Sequence, residues 1–176
     1  KDSLNTRLLR AAANALPENA ELTVQSIADI PLYNYDDETS SGIPPAVTAA
    51  KDAIAAADGL LIATPEYNNS IPGVVKNAMD WMSRPAADIP RVFGGRPTAL
   101  MGASPGAFGT LLSQNAWLPI MRTLGTNFWN GGRLIAPRAN QLFADNGALQ
   151  DEAMQQRLTK FLAEFVSYIR QQQAGT

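Results

Sequence analysis

The chain has 176 residues, 45% of them hydrophobic, with 14 basic side chains against 16 acidic ones, so the formal net charge is -2. That is ample for one packed core and short for two, offers no basic face for nucleic acid, and includes no apolar run near the roughly 20 residues that cross a bilayer; a single-domain, soluble, cytoplasmic protein is expected. Without cysteine there is no disulfide framework, thiolate metal site or thiol nucleophile, and without histidine the usual hydrolase triads, imidazole acid–base chemistry and histidine-bound zinc lose their central residue.

Residues 3–16 read as a helix: Leu4, Leu8, Leu9, Ala12 and Leu16 recur at helical spacing, Ser3 is the cap and Pro17 the stop. Residues 21–27 alternate as a short strand. Residues 28–43, with Pro31, Asn34, Asp36, Asp37 and Gly42, read as a long surface loop carrying Tyr33 and Tyr35. An alanine-rich helix follows over 44–57, then the apolar strand 59–64 and a helix over 72–83 with Val74, Val75, Ala78, Met79 and Met82 on one side. Residues 97–103 form the next strand, and a helix runs to about Leu124. Residues 126–135 hold a last strand interrupted by Gly131 and Gly132. The closing helix, from about Leu149 to Gln172, aligns Met154, Leu158, Phe161, Leu162, Phe165 and Ile169 on one stripe. Strands alternating with helices specify an α/β fold, a doubly wound parallel sheet between two helical layers.

In open sheets of this class, ligands bind beyond the C-terminal ends of the strands, so the loops that leave those ends are the candidate site. The run Thr64-Pro65-Glu66-Tyr67-Asn68-Asn69-Ser70-Ile71-Pro72-Gly73 is one such loop. Pro65 ends the strand, Asn68, Asn69 and Ser70 supply polar groups, and Ser70 and Pro72 suit a helix start. Ser104-Pro105-Gly106-Ala107-Phe108-Gly109 is a second, where glycine lets backbone approach a flat ring. Lys1-Asp2-Ser3-Leu4-Asn5 opens the first helix, whose free N–H groups and positive dipole end suit a phosphate, although Ser and Asn there are equally ordinary caps.

From Pro65 to Trp81 the chain resembles the P-E-Y-N-x-S-x-P-G-x-x-K-N-A-x-D-W signature of the NAD(P)H-dependent FMN reductases, a flavodoxin-like family that includes bacterial quinone and chromate reductases. Asn68, Ser70, Lys76, Asn77, Ala78, Asp80 and Trp81 fall at matching places. The start of the first helix is similar to the end of the family's G-S-x-R-x-x-S-x-N phosphate loop, with Ser3 and Asn5 on its serine and asparagine. The stretch 104–114 resembles its S-x-G-x-x-G-G-x-R-A-Q segment, with Thr110, Leu112 and Ser113 departing from it, and Asn69 stands where the family commonly has tyrosine.

The resemblance implies FMN as cofactor and NAD(P)H as electron donor. It implies a flavin phosphate at Lys1, Asp2, Ser3, Leu4 and Asn5, and backbone of Pro65, Glu66, Tyr67 and Asn68 along the polar edge of the ring, with Ser104 and Gly106 beside it. Main-chain donors there would stabilise the charge a flavin gains on reduction. Glu66 would face the cofactor edge or solvent, without a general-base role. No side chain need act as nucleophile: hydride would pass from nicotinamide to flavin N5, then electrons to a quinone-like or other small acceptor. A homodimer or homotetramer is implied, with Tyr33 and Tyr35 either near the partner's site or packed on their own loop. The three tryptophans are assigned first to core or dimer interface, and Lys76 with Asp80 reads as a solvated helix pair. A flavodoxin-like electron carrier and a non-catalytic flavin-binding module are the alternatives. A flavodoxin-like sheet has strand order 2-1-3-4-5, yet this chain opens on the helix that follows the central strand; about ten further residues upstream, an apolar strand ending in a Gly-Ser loop, are therefore expected.

Overall fold

The computed structural model describes residues 3–175, as an α/β sandwich built around one fully buried strand. Helix α1 spans Leu4–Asn14, with Thr6 N–H donating to the Ser3 hydroxyl at its start. Helices α2 (Tyr35–Ser41) and α3 (Pro45–Ala56) precede strand β1 (Leu60–Ala63) and helix α4 (Gly73–Met82). The short helix α5 (Ile89–Val92), strand β2 (Pro97–Ala103) and helix α6 (Leu111–Thr123) come next. Strands β3 (Asn127–Phe128) and β4 (Leu134–Ala136) and the long helix α7 (Glu152–Ala174) complete the chain, α7 being capped by Asp151 Oδ1 accepting from Met154 N–H at 2.8 Å.

The strand pairings among the described residues are parallel. Strand β2 lies between β1 on one side and β3 and β4 on the other, so β3 and β4 act as one strand broken at 129–133. The break carries the expected glycines, and a Cβ on Gly131 would fall 2.3 Å from the Trp129 indole nitrogen. Every residue of β2 is buried, and its side chains alternate between two cores, as a strand covered on both faces requires. Ala99, Met101 and Ala103 meet Leu8 and Ala12 of α1 and Leu158, Phe161, Leu162 and Phe165 of α7. Leu100 faces the other way, into a core of Val47, Ala50, Ala78, Met79, Trp81, Trp117 and Met121 from α3, α4 and α6. All three tryptophans are core residues. No helix among the described residues is long and apolar enough to cross a membrane.

Two expectations fail locally. Residues 21–27 form no strand: among the described residues no neighbouring chain pairs with them, and an alternating pattern alone cannot supply the ladder that a strand needs. The 28–43 loop contains a helix, α2, capped by Asn34 Oδ1 on Asp36 N–H at 2.9 Å, with three acids in its first turn and Gly42 at φ +78 at its end. Asn, acids and Gly read as turn residues in sequence, but they are also the chemistry of a short helix's two ends.

Glu38 of α2 holds the 28–43 segment to α4's end. Its carboxylate accepts from Arg84 Nε at 3.0 Å through both oxygens and from Tyr33 O–H at 2.8 Å. The hydrogen bond from Arg84, then that from Tyr33, keeps the Glu38 carboxyl below its ordinary value of 4.5. The same contact with Glu38 raises the Tyr33 phenol above 10.0. A depressed carboxyl contributes stability that is present above 4.5 and lost as pH falls through the folded value, whereas the raised phenol's contribution is lost as pH climbs through its own. Glu38→Gln is therefore expected to lower the urea midpoint at neutral pH and to flatten its decline below about pH 4.5; equal acid slopes in the two proteins would refute the assignment.

Candidate functional site

Strands β1 and β2 end at the same edge of the sheet, and three segments meet there: the start of α1, residues 64–72 and residues 104–110. The first is placed by Asn5. Met101 O accepts from Thr64 N–H as β1 turns away, so Ala103, two residues further along β2, presents its backbone to the same side with no strand beside it. The buried Asn5 carboxamide fills that place: Nδ2 donates to Ala103 O and Oδ1 accepts from Ala103 N–H, both at 2.9 Å. The side chain thus extends the ladder by one residue and fixes α1's first turn beside Ser104. No described residue accepts from the Leu4 or Asn5 backbone N–H, and no acid lies in that turn.

Residues 64–72 are fastened to α6. The Thr64 hydroxyl, fully buried, donates to Pro65 O at 3.1 Å, accepts from Trp117 Nε1–H at 3.1 Å and meets the Ser113 hydroxyl at 3.1 Å, which saturates one donor and two lone pairs. Two residues on, Glu66 Oε2 accepts from the N–H groups of Leu112 at 2.8 Å and Ser113 at 3.0 Å. Thr110, at the N-cap of α6, makes no side-chain cap bond, so Glu66 supplies the cap from a distant loop and its charge sits at the helix's positive end. The residue is half-buried, with one carboxylate oxygen engaged in this way. Tyr67 and Ser70 exchange backbone hydrogen bonds at 3.2 and 3.0 Å around Asn68 and Asn69, both at positive φ. That is the tight hairpin turn for which paired asparagines are suited, and it explains asparagine at 69.

The third segment is pinned from the far side. Ser104 O accepts from Ala139 N–H and Gly106 O from Arg138 N–H, both at 3.0 Å, while the Ser104 hydroxyl accepts from Gly106 N–H at 3.3 Å. Gly102, just before it, sits where a Cβ would lie 2.1 Å from Thr64 O and 2.5 Å from the Thr110 hydroxyl, so β1's end, β2 and the start of α6 touch at a position only glycine can occupy.

Ser3, Leu4, Asn5, Pro65, Glu66, Tyr67, Asn68, Ser104 and Gly106 are thus drawn to one edge of the sheet; Lys1 and Asp2 lie outside the described residues. Ser3 and Gly106 are exposed, and Tyr67 and Asn68 form the exposed hairpin. Tyr33 and Tyr35 are not part of this edge's hydrogen-bond network: Tyr33 packs edge-on against Trp81 at 4.9 Å and Tyr35 is exposed. Sequence reading missed the fasteners. Asn77 bonds Tyr33 N–H and Pro31 O at 2.8 Å each, and Trp81 Nε1–H reaches the same Pro31 O at 2.9 Å, so two signature residues hold a neighbouring loop. Lys76 and Asp80 form the expected half-exposed pair at 2.6 Å. Among the described residues no group of three or more acidic side chains could hold a metal ion.

Two substitutions test this reading of the scaffold. Asn5→Leu leaves the Ala103 amide and carbonyl buried without partners and is expected to cost about 2–4 kcal/mol in urea unfolding. Glu66→Ala is expected to cost about 1 kcal/mol and to speed hydrogen exchange at the Leu112 and Ser113 amides, with Glu66→Gln falling between it and the parent because its amide oxygen still accepts; unchanged exchange in Glu66→Ala would refute the cap.

Comparison with known proteins identifies the family. Residues 1–141 match the family described as NADPH-dependent FMN reductase. A 2-hydroxy-1,4-benzoquinone reductase from a Burkholderia species is 36% identical over 170 residues, covering 97% of this chain and 91% of that protein. An NAD(P)H-dependent FMN reductase of Pseudomonas aeruginosa is 36% identical over 168 residues, with 96% and 89% covered. The solved structure of FerB, a flavoenzyme NAD(P)H:(acceptor) oxidoreductase from Paracoccus denitrificans, superposes with a TM-score of 0.83 at 32% identity over 98% of this chain and 92% of that one. A doubly wound sheet with helix start, strand-end hairpin and glycine loop fastened at one edge, together with these matches over nearly the whole chain, places the protein in the NADPH-dependent FMN reductase family.

Proposed function

We propose that the whole chain, 1–176, is one FMN-binding domain that uses NAD(P)H to reduce quinone-like or other small acceptors, with the flavin held at the C-terminal ends of β1 and β2. The observation that carries this is the mutual fastening of the three strand-end segments through Asn5, Glu66 and Thr64.

The residues present fit FMN. An anion belongs at α1's first turn, where the Leu4 and Asn5 amides have no described acceptor and Ser3 adds a hydroxyl. The corresponding pole of α6 is taken by Glu66. A flat ring needs close backbone and few protruding side chains, which Gly106 meets: a Cβ there would touch only the Ser104 hydroxyl, at 3.7 Å. The backbone of residues 65–68 is assigned to the ring's polar edge, with Ser104 and Gly106 beside it. When bound, FMN supplies the redox chemistry, taking hydride at N5 from the nicotinamide and returning electrons to the acceptor. The protein's part is to hold that group with main-chain donors already fixed in place, so that charge arising on reduction meets dipoles that need no rearrangement. A chain lacking histidine and cysteine can perform this work because no side chain has to carry a proton or form a bond.

The relatives named as quinone and FMN reductases support NAD(P)H as donor and quinones as acceptors. A cytoplasmic location and a homodimer or homotetramer belong to the same reading, the latter supported by exposed apolar side chains such as Leu32, Val74 and Leu118. The purified full chain is expected to be yellow, absorbing near about 450 nm as the cofactor does, to bleach anaerobically with NADPH or NADH, and to recover its colour on mixing with a quinone. A colourless protein that takes up no FMN at micromolar concentration would overturn the proposal.

A further inference from the structure

Two large aromatic side chains stand out from the edge where the flavin is placed. Phe108 is 77% exposed and Tyr67 58% exposed, in a protein whose tryptophans are all buried. A single exposed apolar side chain is ordinary. These two differ because their backbones are held stiffly. Tyr67 heads the hairpin closed by its own paired bonds with Ser70 and tethered to α6 through Glu66. Phe108 lies within a turn closed by Gly109 N–H donating to Gly106 O at 3.2 Å, and that turn is pinned by Arg138 and Ala139. Gly109 stands at φ +63, with Ile135 where its Cβ would be, so the turn cannot relax by a simple change at that residue. The two loops leave adjacent strands, which lie about 4.8 Å apart. Glu66, one residue before Tyr67, bonds the amide four residues after Phe108, so the loops are coupled as one body.

We infer that Phe108 is a specificity-determining residue of the acceptor site, and that with Tyr67 it supplies aromatic walls that favour planar aromatic acceptors, quinones above all, over inorganic ones. The inference rests on the flavin placement proposed above. A quinone ring offers both faces for stacking and loses apolar surface to water when it enters such a cleft, whereas a hydrated inorganic oxidant such as ferricyanide gains nothing from an aromatic wall. Phe108 therefore raises the preference for quinone without contacting a proton or forming a bond. Tyr67 alone would leave the cleft with one aromatic side, and the opposite loop would otherwise present only small residues, Ser104, Pro105, Gly106 and Ala107.

The test compares parent, Phe108→Ala and Phe108→Trp as FMN-loaded full chains. Oxidation of the NADPH-reduced protein by 1,4-naphthoquinone and by ferricyanide is followed by anaerobic stopped flow, and naphthoquinone binding to the oxidised protein is measured by calorimetry. In Phe108→Ala the naphthoquinone-to-ferricyanide ratio of second-order rate constants is expected to fall about three- to tenfold, with naphthoquinone affinity weakened to a similar extent, and Phe108→Trp is expected to restore both. A ratio unchanged in Phe108→Ala, in a protein that still holds FMN and bleaches with NADPH, would overturn this inference alone. So would an equal loss toward both acceptors accompanied by a smaller assembly in sedimentation, which would mark Phe108 as an interface residue. Failure of the parent to take up FMN would overturn the flavin placement and this inference with it.

Discussion

Strand β2 outruns β1, and the structure of the site follows from what must then be done with the backbone left over. Ala103 is buried, its N–H and C=O point to the side β1 has vacated, and water cannot reach them. An unpaired pair of this kind would cost several kcal/mol, on the order of a large fraction of a small domain's net stability. The Asn5 carboxamide has the same donor–acceptor spacing as a peptide group and replaces one. That single replacement couples the helix start to the strand end, so the segment proposed for the phosphate and the segment proposed for the ring are fixed relative to each other by the chemistry that completes the sheet.

The same economy recurs at α6. A helix start needs acceptors for its first amides, and a loop with a glutamate needs somewhere to place a charge; Glu66 meets both needs across 46 positions of sequence. Residue types that look like candidates for chemistry are thus spent on geometry. Asn77, Trp81 and Thr64 follow the same pattern, each holding a loop or strand end at a distance rather than facing the cleft. A site of this kind gains rigidity from side chains and would leave the proposed cofactor to be met by backbone, which suits a cofactor that brings its own reactivity.

This division also explains what could be read from the sequence. The apolar strands β1 and β2 and the stripe of α7 were legible because burial on a strand or on one helix face leaves a period in the sequence. The meeting of the three segments at one edge was legible because it follows from the strand ends. The roles of Asn5, Glu66 and Asn77 were not, because a carboxamide or carboxylate has no sequence mark that says whether it will meet a ligand or a distant amide. Lys51 is the clearest case. Nothing in the sequence around this lysine marks it for burial, yet it is buried, with Nζ 2.5 Å from both Asp88 Oδ2 and Arg84 O. Residues 21–27 fail for the converse reason: their alternation is a property of the segment, whereas a strand is a property of a pair.

A cleft that works as proposed would have its affinity and its selectivity on different atoms. The main-chain bonds that shape the proposed flavin site, among them the Tyr67–Ser70 pair and those that Ser104 O and Gly106 O accept, also hold the scaffold, so disturbing them moves the hairpin or the glycine loop. The side chains that protrude from those same loops, Tyr67, Asn69 and Phe108, are exposed and make no side-chain hydrogen bond among the described residues, so replacing them breaks none of these fasteners. Asn69 is constrained only through its positive φ, which asparagine tolerates better than most residues. Variation among reductases of this fold should therefore concentrate at the hairpin tip and the middle of the glycine loop, where it costs the scaffold little. On the proposed reading the residues at 69 and 108 bear on the acceptor, whereas the signature residues Asn77 and Trp81 belong to the frame.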